Sequence, residues 1–292
     1  MLGKHLLGIY EKAFDPSDTW SVRLQKAVEL GFDYVEISVD ETDERLERLY
    51  WQQDRIEQLR RCCVREGIPI LSMCLSAHRR YPFGSANADV RRKAREIMER
   101  AVEFAVAMGI RTIQLAGYDV YYEDSTPDSR KAFAEGLKWA VSLAERYQVM
   151  LAMEIMDTPF MNSITKHMAY EKMLNSPWYS VYPDLGNLSA WPENDAEAEL
   201  SAGAGSIVAV HLKDTLRVSE GFGGKFRGVP FGSGCVDFVK LFSRLEAQGY
   251  NGPYLVEMWH EEGKSDIVET GRAKAWLEAG FALAVGRSWP AC

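Results

Sequence analysis

The chain has 292 residues, 47% of them hydrophobic and 26% charged, and its 34 basic against 42 acidic side chains give a net charge of −8. That length and apolar share support a large core and exclude a disordered chain. A pI near 5.3 argues against nonspecific nucleic-acid binding, which needs a basic face to displace counterions.

No run approaches the ~18–20 apolar residues of a membrane span. The opening segment MLGKHLLGIYEKAF carries Lys4, Glu11 and Lys12 and lacks a signal-peptide core, so a cytoplasmic protein is expected. Five cysteines, Cys62, Cys63, Cys74, Cys235 and Cys292, form no CxxC pair; this fits a reducing compartment and offers no thiolate metal site.

One pattern recurs along the chain. The first strand is predicted over 5–11, followed by a helix near 17–30 that opens after Asp15-Pro16-Ser17-Asp18 and closes at Gly31. A second strand (33–40) leads to a helix ending at Gly67, a C-terminal cap glycine. The third strand is IPILSMCL (68–75), and the helix after it, about 87–108, repeats apolar residues at a 3.6-residue spacing up to Gly109. The remaining strands are expected at 111–117, 149–156, 179–186, 207–214 and 252–260. Helices alternate with them at about 127–147, 163–175, 195–202, 236–248 and 266–285. Near-continuous apolar strands indicate a parallel sheet covered on both faces. Eight such units predict a single (β/α)8 TIM barrel occupying residues 1–292 as one domain. A doubly wound sheet would show a glycine-rich phosphate fingerprint after an early strand, and none follows any strand here.

A barrel carries its active site where strands run into the loops that follow them. The last four strands each place one metal-capable side chain there: Glu154, Asp184, His211 and Glu257, separated by 30, 27 and 46 residues, about one βα unit per step. Singly, each is better explained as a hydrogen-bonded polar group or a helix cap. Together, three carboxylates would repel one another unless a cation held them. A carboxylate-rich set with one imidazole suits a divalent ion such as Zn2+, Mn2+ or Co2+.

The strings GIYEK, MCLSAHRRYPFGS, IQLAGYDVYYED, EIMDTPFMNSI, YPDLGNLSAW, HLKDT, RGVPFGSGCVDF and VEMW, spread over residues 5–285, resemble the L-ribulose/L-xylulose 5-phosphate 3-epimerases of the xylose-isomerase-like barrel superfamily. The resemblance implies one divalent metal held by Glu154, Asp184, His211 and Glu257, with Glu154 and Glu257 also acting as acid and base. It further implies a phosphorylated L-ketopentose as substrate and a place in pentose or L-ascorbate catabolism. Inverting C3 of a 2-ketopentose removes a proton beside a carbonyl and returns one to the opposite face, which suits two proton-transfer groups and a metal-stabilised enediolate.

An anionic substrate needs positive charge, and Lys12, His78, Arg79 and Arg80 lie near the first and third strand ends. The helix start after Gly84-Ser85-Ala86-Asn87, with Arg91 in its first turn, is a second anion position. The resemblance favours both places, with Lys12 and Ser85 foremost. Arg227 lies in a stretch after strand seven too long for a tight loop, which suggests a clamp on the ketose oxygens. Asn187 and Glu36 are candidates for sugar hydroxyls, a structural hydrogen bond being equally good for each. His167 is expected on a helix surface, and His260 carries little signal. The terminal FALAVGRSWPAC is a candidate homodimer contact or a cover for the barrel.

Three other functions share parts of this pattern. A free-ketose 3-epimerase or an aldose–ketose isomerase would use the same barrel and metal, and preference for unphosphorylated sugar would identify it. An endonuclease-IV-like repair enzyme needs several metals and more than the five histidines present, on a less acidic chain. A noncatalytic sugar-phosphate binder has no use for Glu154 and Glu257 as a proton-transfer pair.

Overall fold

The structure, a computed structural model, describes residues 1–286, so the end of the FALAVGRSWPAC segment, Cys292 included, lies outside the described residues. Eight short parallel strands form one sheet: β1 (Leu7–Tyr10), β2 (Tyr34–Val39), β3 (Ile70–Leu75), β4 (Thr112–Leu115), β5 (Met150–Glu154), β6 (Tyr179–Tyr182), β7 (Val210–Leu212) and β8 (Tyr254–Val256). They run β6-β5-β4-β3-β2-β1-β8-β7. The ring is completed by isolated parallel bridges, Val181 to Ile207 and Asp184 to His211. Pro183 lies between the two bridges and has no N–H to donate, so the ladder is interrupted there.

Period-two alternation divides the strand residues into two sets. Ile9, Val35, Ile37, Met73, Ile113, Leu151 and Val181 join the large core beneath the helices. The alternate positions build small clusters inside the ring, Tyr10, Tyr34, Cys74 and Leu255 in one and Ala152, Tyr182 and Ala209 in another. Gly8 is required by this filling, because a Cβ on it would lie 2.3 Å from the Tyr34 ring.

The helices are α1 (Trp20–Glu29), α2 (Asp43–Leu46), α3 (Gln53–Glu66), α4 (Ala88–Met108), α5 (Pro127–Tyr147), α6 (Ile164–Leu174), α7 (Leu185–Ala190), α8 (Ala196–Ala202), α9 (Phe238–Ala247) and α10 (Asp266–Ala284). Gly67 and Gly109 cap α3 and α4 in the left-handed region, at φ 73° and 81°. The expected start of the first helix is corrected: Thr19, not the Asp15–Asp18 cluster, accepts the first-turn N–H and α1 begins at Trp20. The sixth predicted strand is also shorter, because Asp184 accepts the Asn187 N–H and turns the chain into α7. Among the described residues no helix is long and apolar enough to cross a membrane.

Candidate active site

Glu154 closes β5, Asp184 begins α7, His211 lies within β7 and Glu257 follows β8. All four are buried, and one ligand atom from each lies within 4.8 Å of the other three. His211 Nδ1 is 3.1 Å from Glu154 Oε1 and 4.0 Å from both Asp184 Oδ2 and Glu257 Oε2. The other ring nitrogen, Nε2, meets Glu36 Oε1 at 3.2 Å. With its Nε2–H given to that carboxylate, the ring would present the Nδ1 lone pair to a cation in the cluster, the arrangement that orients metal-binding histidines.

The donor set fits a divalent cation on two grounds. Asp184 Oδ2 is buried without a hydrogen-bond partner, the Lys213 ammonium being 3.3 Å away. Three carboxylates and a neutral imidazole are also the ligands expected for such an ion. Burial and neighbouring charges shift the protonation of the cluster. Burial pushes Asp184 up to about 7, and the Glu257 and Glu154 carboxylates add to that. Burial also raises Glu154. It acts the same way on Glu257, but there Lys213, His211 and Arg227 outweigh it and bring the carboxyl down to about 2. Lys213 is itself buried, with Nζ 2.7 Å from Glu257 Oε2, and these carboxylates hold it protonated.

Above the cluster is a cavity of about 220 Å³ lined in part by Tyr10, Lys12, Arg79, Asn187, Arg227 and Trp259. Arg227 stacks on Trp259, its guanidinium carbon 4.9 Å from the ring centre. Tyr10 meets the same indole edge-on at 6.3 Å. The cavity thus has an aromatic wall over an acidic, cation-seeking base.

Residues 24–280 match the xylose isomerase-like TIM barrel family model. A relative from Escherichia coli (strain K12), provisionally named L-ribulose-5-phosphate 3-epimerase SgbU, is 56% identical over 94% of this chain and 96% of its own length. The L-ribulose-5-phosphate 3-epimerase UlaE of Escherichia coli O157:H7 is 52% identical over 97% of this chain and 98% of its own. The chain belongs to the L-ribulose-5-phosphate 3-epimerase family. It is therefore an enzyme of the isomerase class. A solved structure of L-ribulose 3-epimerase shares the fold, with a TM-score of 0.75 at 20% identity, covering 96% of this chain and 95% of that one.

In this epimerase the residues expected to bind substrate separate into two groups. Lys12, Asn187 and Arg227 line the cavity, as does Arg79. Lys12 Nζ is 2.5 Å from Asp40 Oδ2. The Asn187 amide nitrogen is committed to the Ile155 carbonyl at 2.9 Å, while its Oδ1 is buried with no partner. Ser85 and Arg91 stand elsewhere. Arg91 donates to the Ser85 and Ala86 carbonyls at 2.6 and 3.0 Å, and the Ala86 N–H is taken by Glu123 at 2.9 Å. The Ala86 N–H, two residues before α4, is thus already taken by a carboxylate. Arg80 pairs with Asp43 at the surface.

Three histidine and glutamate readings are corrected. His78 is buried against Phe83 and donates its Nε2–H to the Ala94 carbonyl at 3.1 Å, and burial lowers it to about 4, so it is a neutral packing group. His167 is fully buried and stacked on Tyr179 at 4.9 Å rather than exposed on α6. Glu36 lies beneath His211, bonded also by the Ser72 hydroxyl at 2.7 Å, and does not line the cavity. Sequence reasoning passed over Lys213 and Gln114. Both carry the signal of a polar residue two positions from another inward-facing one, or within an apolar strand.

Proposed function

We propose that this chain inverts C3 of a phosphorylated L-ketopentose, interconverting L-ribulose 5-phosphate and L-xylulose 5-phosphate. The observation that carries the reading is the convergence of Glu154 and Glu257 with Asp184 and His211 in one buried cluster. Relatives at 52% and 56% identity that bear the epimerase name support the choice of substrate. A Zn2+, Mn2+ or Co2+ ion held by those four residues would stabilise the negative charge that develops on the oxygens at C2 and C3.

One glutamate takes the C3 proton onto a carboxylate oxygen, and the other, protonated, delivers one to the opposite face. The direction of reaction sets which does which. Lys213 fixes the Glu257 carboxylate through its 2.7 Å contact. Lys12 and Arg79 supply positive charge for the phosphate, and Arg227 forks onto the ketose oxygens from above Trp259. Asn187 Oδ1 accepts from a sugar hydroxyl. A cytoplasmic role in pentose or L-ascorbate breakdown belongs to the same proposal and rests on the family resemblance.

The test is a coupled assay of both L-pentulose 5-phosphates and the corresponding free sugars, with metal analysis of the purified protein. Turnover of the phosphorylated sugars with solvent deuterium entering C3 is expected. Preference for the free sugars would overturn the phosphate assignment, and absence of C3 exchange would overturn the reaction.

A further inference from the structure

A buried amide beside the cluster has no part in that chemistry. Gln114 is fully buried on β4, and the β4–β5 ladder sets it level with Ala152. Its Nε2 donates to Glu154 Oε2. The other carboxylate oxygen of Glu154, Oε1, is the one turned to His211 Nδ1 at 3.1 Å. Gln114 Oε1 is buried with no partner.

An unpaired buried acceptor is costly, and a methionine or leucine would fill the same place without that cost. The donor half of the amide is what those residues lack. The carboxylate also decides the orientation of the amide, since only the N–H end can face it. A lysine or arginine could donate as well, but would add positive charge next to a cluster already holding Lys213 and would compete with a cation. A neutral donor fixes Glu154 while leaving its full charge available. Glu257 is held differently, by the charged Lys213.

We propose that Gln114 is a positioning residue for Glu154: by holding Oε2 it sets the plane of the carboxylate and leaves Oε1 as the oxygen presented to the metal position. Its effect on turnover rests on the two-glutamate reading; its effect on metal binding does not.

The experiment compares the native protein with Gln114→Met, which removes the amide at similar length, and Gln114→Asn, which withdraws it by one methylene. Metal-free protein is titrated with Co2+, whose visible bands report ligand geometry. Both variants are expected to bind Co2+ about tenfold more weakly with shifted bands, and to lose about 10–100-fold in kcat on the phosphorylated ketopentose with KM within about twofold. Melting temperatures stay near native. Native Co2+ affinity and bands in either folded variant would overturn the proposal, as would weakened binding that merely tracks a lowered melting temperature. If the native protein turns over no phosphorylated ketopentose, the proposed function fails, and the Co2+ titration still decides the role of Gln114.

Discussion

Glu154 and Glu257 come from strands three places apart in the ring, yet each has an oxygen within 4.0 Å of His211 Nδ1. A neutral amide has nearly the shape of a carboxylate but cannot take a proton. Glu154→Gln and Glu257→Gln should therefore each lower kcat by at least about 100-fold while the far-ultraviolet spectrum stays native. Turnover near the native rate in either variant would remove the two-glutamate mechanism. Glu36 acts one step further out, through His211 Nε2. Glu36→Gln removes the charge that favours Nε2–H, and metal affinity measured by chelator competition should weaken about 10–100-fold. The four cluster residues were legible in the sequence because each falls at the mouth end of a strand, where a polar residue ends an apolar run. Burial was not legible. His78 and Arg79 are adjacent and both basic in sequence, but one turn of chain buries the first against Phe83 and sends the second to the cavity.

The stretch after β7 is the element that most shapes the cavity mouth, and a single carboxylate ties it down. Asp214 is buried and accepts backbone N–H groups from Gly232 and Gly234 at 2.9 Å each, from Thr215 at 2.9 Å and from Val236 at 3.3 Å. Closer to its start the stretch folds on itself through bridges between Leu216 and Lys225 and between Ser219 and Phe222. Phe226 and Arg227, between these two anchors, line the cavity. Asp214→Ala takes the acceptor away from the buried Thr215 N–H and from the part-buried N–H groups of Gly232, Gly234 and Val236, and should cost about 2 kcal/mol of stability. It should also raise KM about tenfold, with faster amide exchange over 232–236. Native KM and exchange would mean that other contacts hold the segment. Gly234 is part of the same device: a Cβ there would lie 2.1 Å from Asp214 Oδ1. The long connection was visible in the sequence as glycine-rich chain after the seventh strand, whereas its anchor was hidden in HLKDT beside the more conspicuous His211. Strand lengths were overestimated for a related reason. Apolar residues continue past the last ladder hydrogen bond into the loops, and hydrophobicity alone does not mark where pairing stops.

At the scale of the whole molecule, the packing of helices onto the ring carries two neutral imidazoles into the interior. His78 is buried behind β3, and His167 connects α6 to β6 by stacking on Tyr179 at 4.9 Å. Burial lowers both from 6.5 to about 4. In the unfolded chain each takes up its proton near the ordinary value, so between about pH 6.5 and 4 the unfolded state binds more protons than the folded one. Stability contributed by keeping these rings neutral is therefore full above pH 6.5 and is lost as pH falls through that window, by about 3 kcal/mol for each ring. His167→Phe keeps an aromatic ring against Tyr179 and removes one of the two titrations. Chemical denaturation of native and variant protein across pH 4–7 should show a shallower decline for the variant, by roughly one proton's worth of slope near pH 5. Parallel curves would mean that His167 is charged in the folded barrel. The same comparison separates the rings from the carboxylates, because Glu11, whose burial is outweighed by Arg48 and Arg23, is held below its ordinary value and loses its contribution only at lower pH. A metal lost in acid would shift both curves together, leaving the difference between them to report the single buried ring.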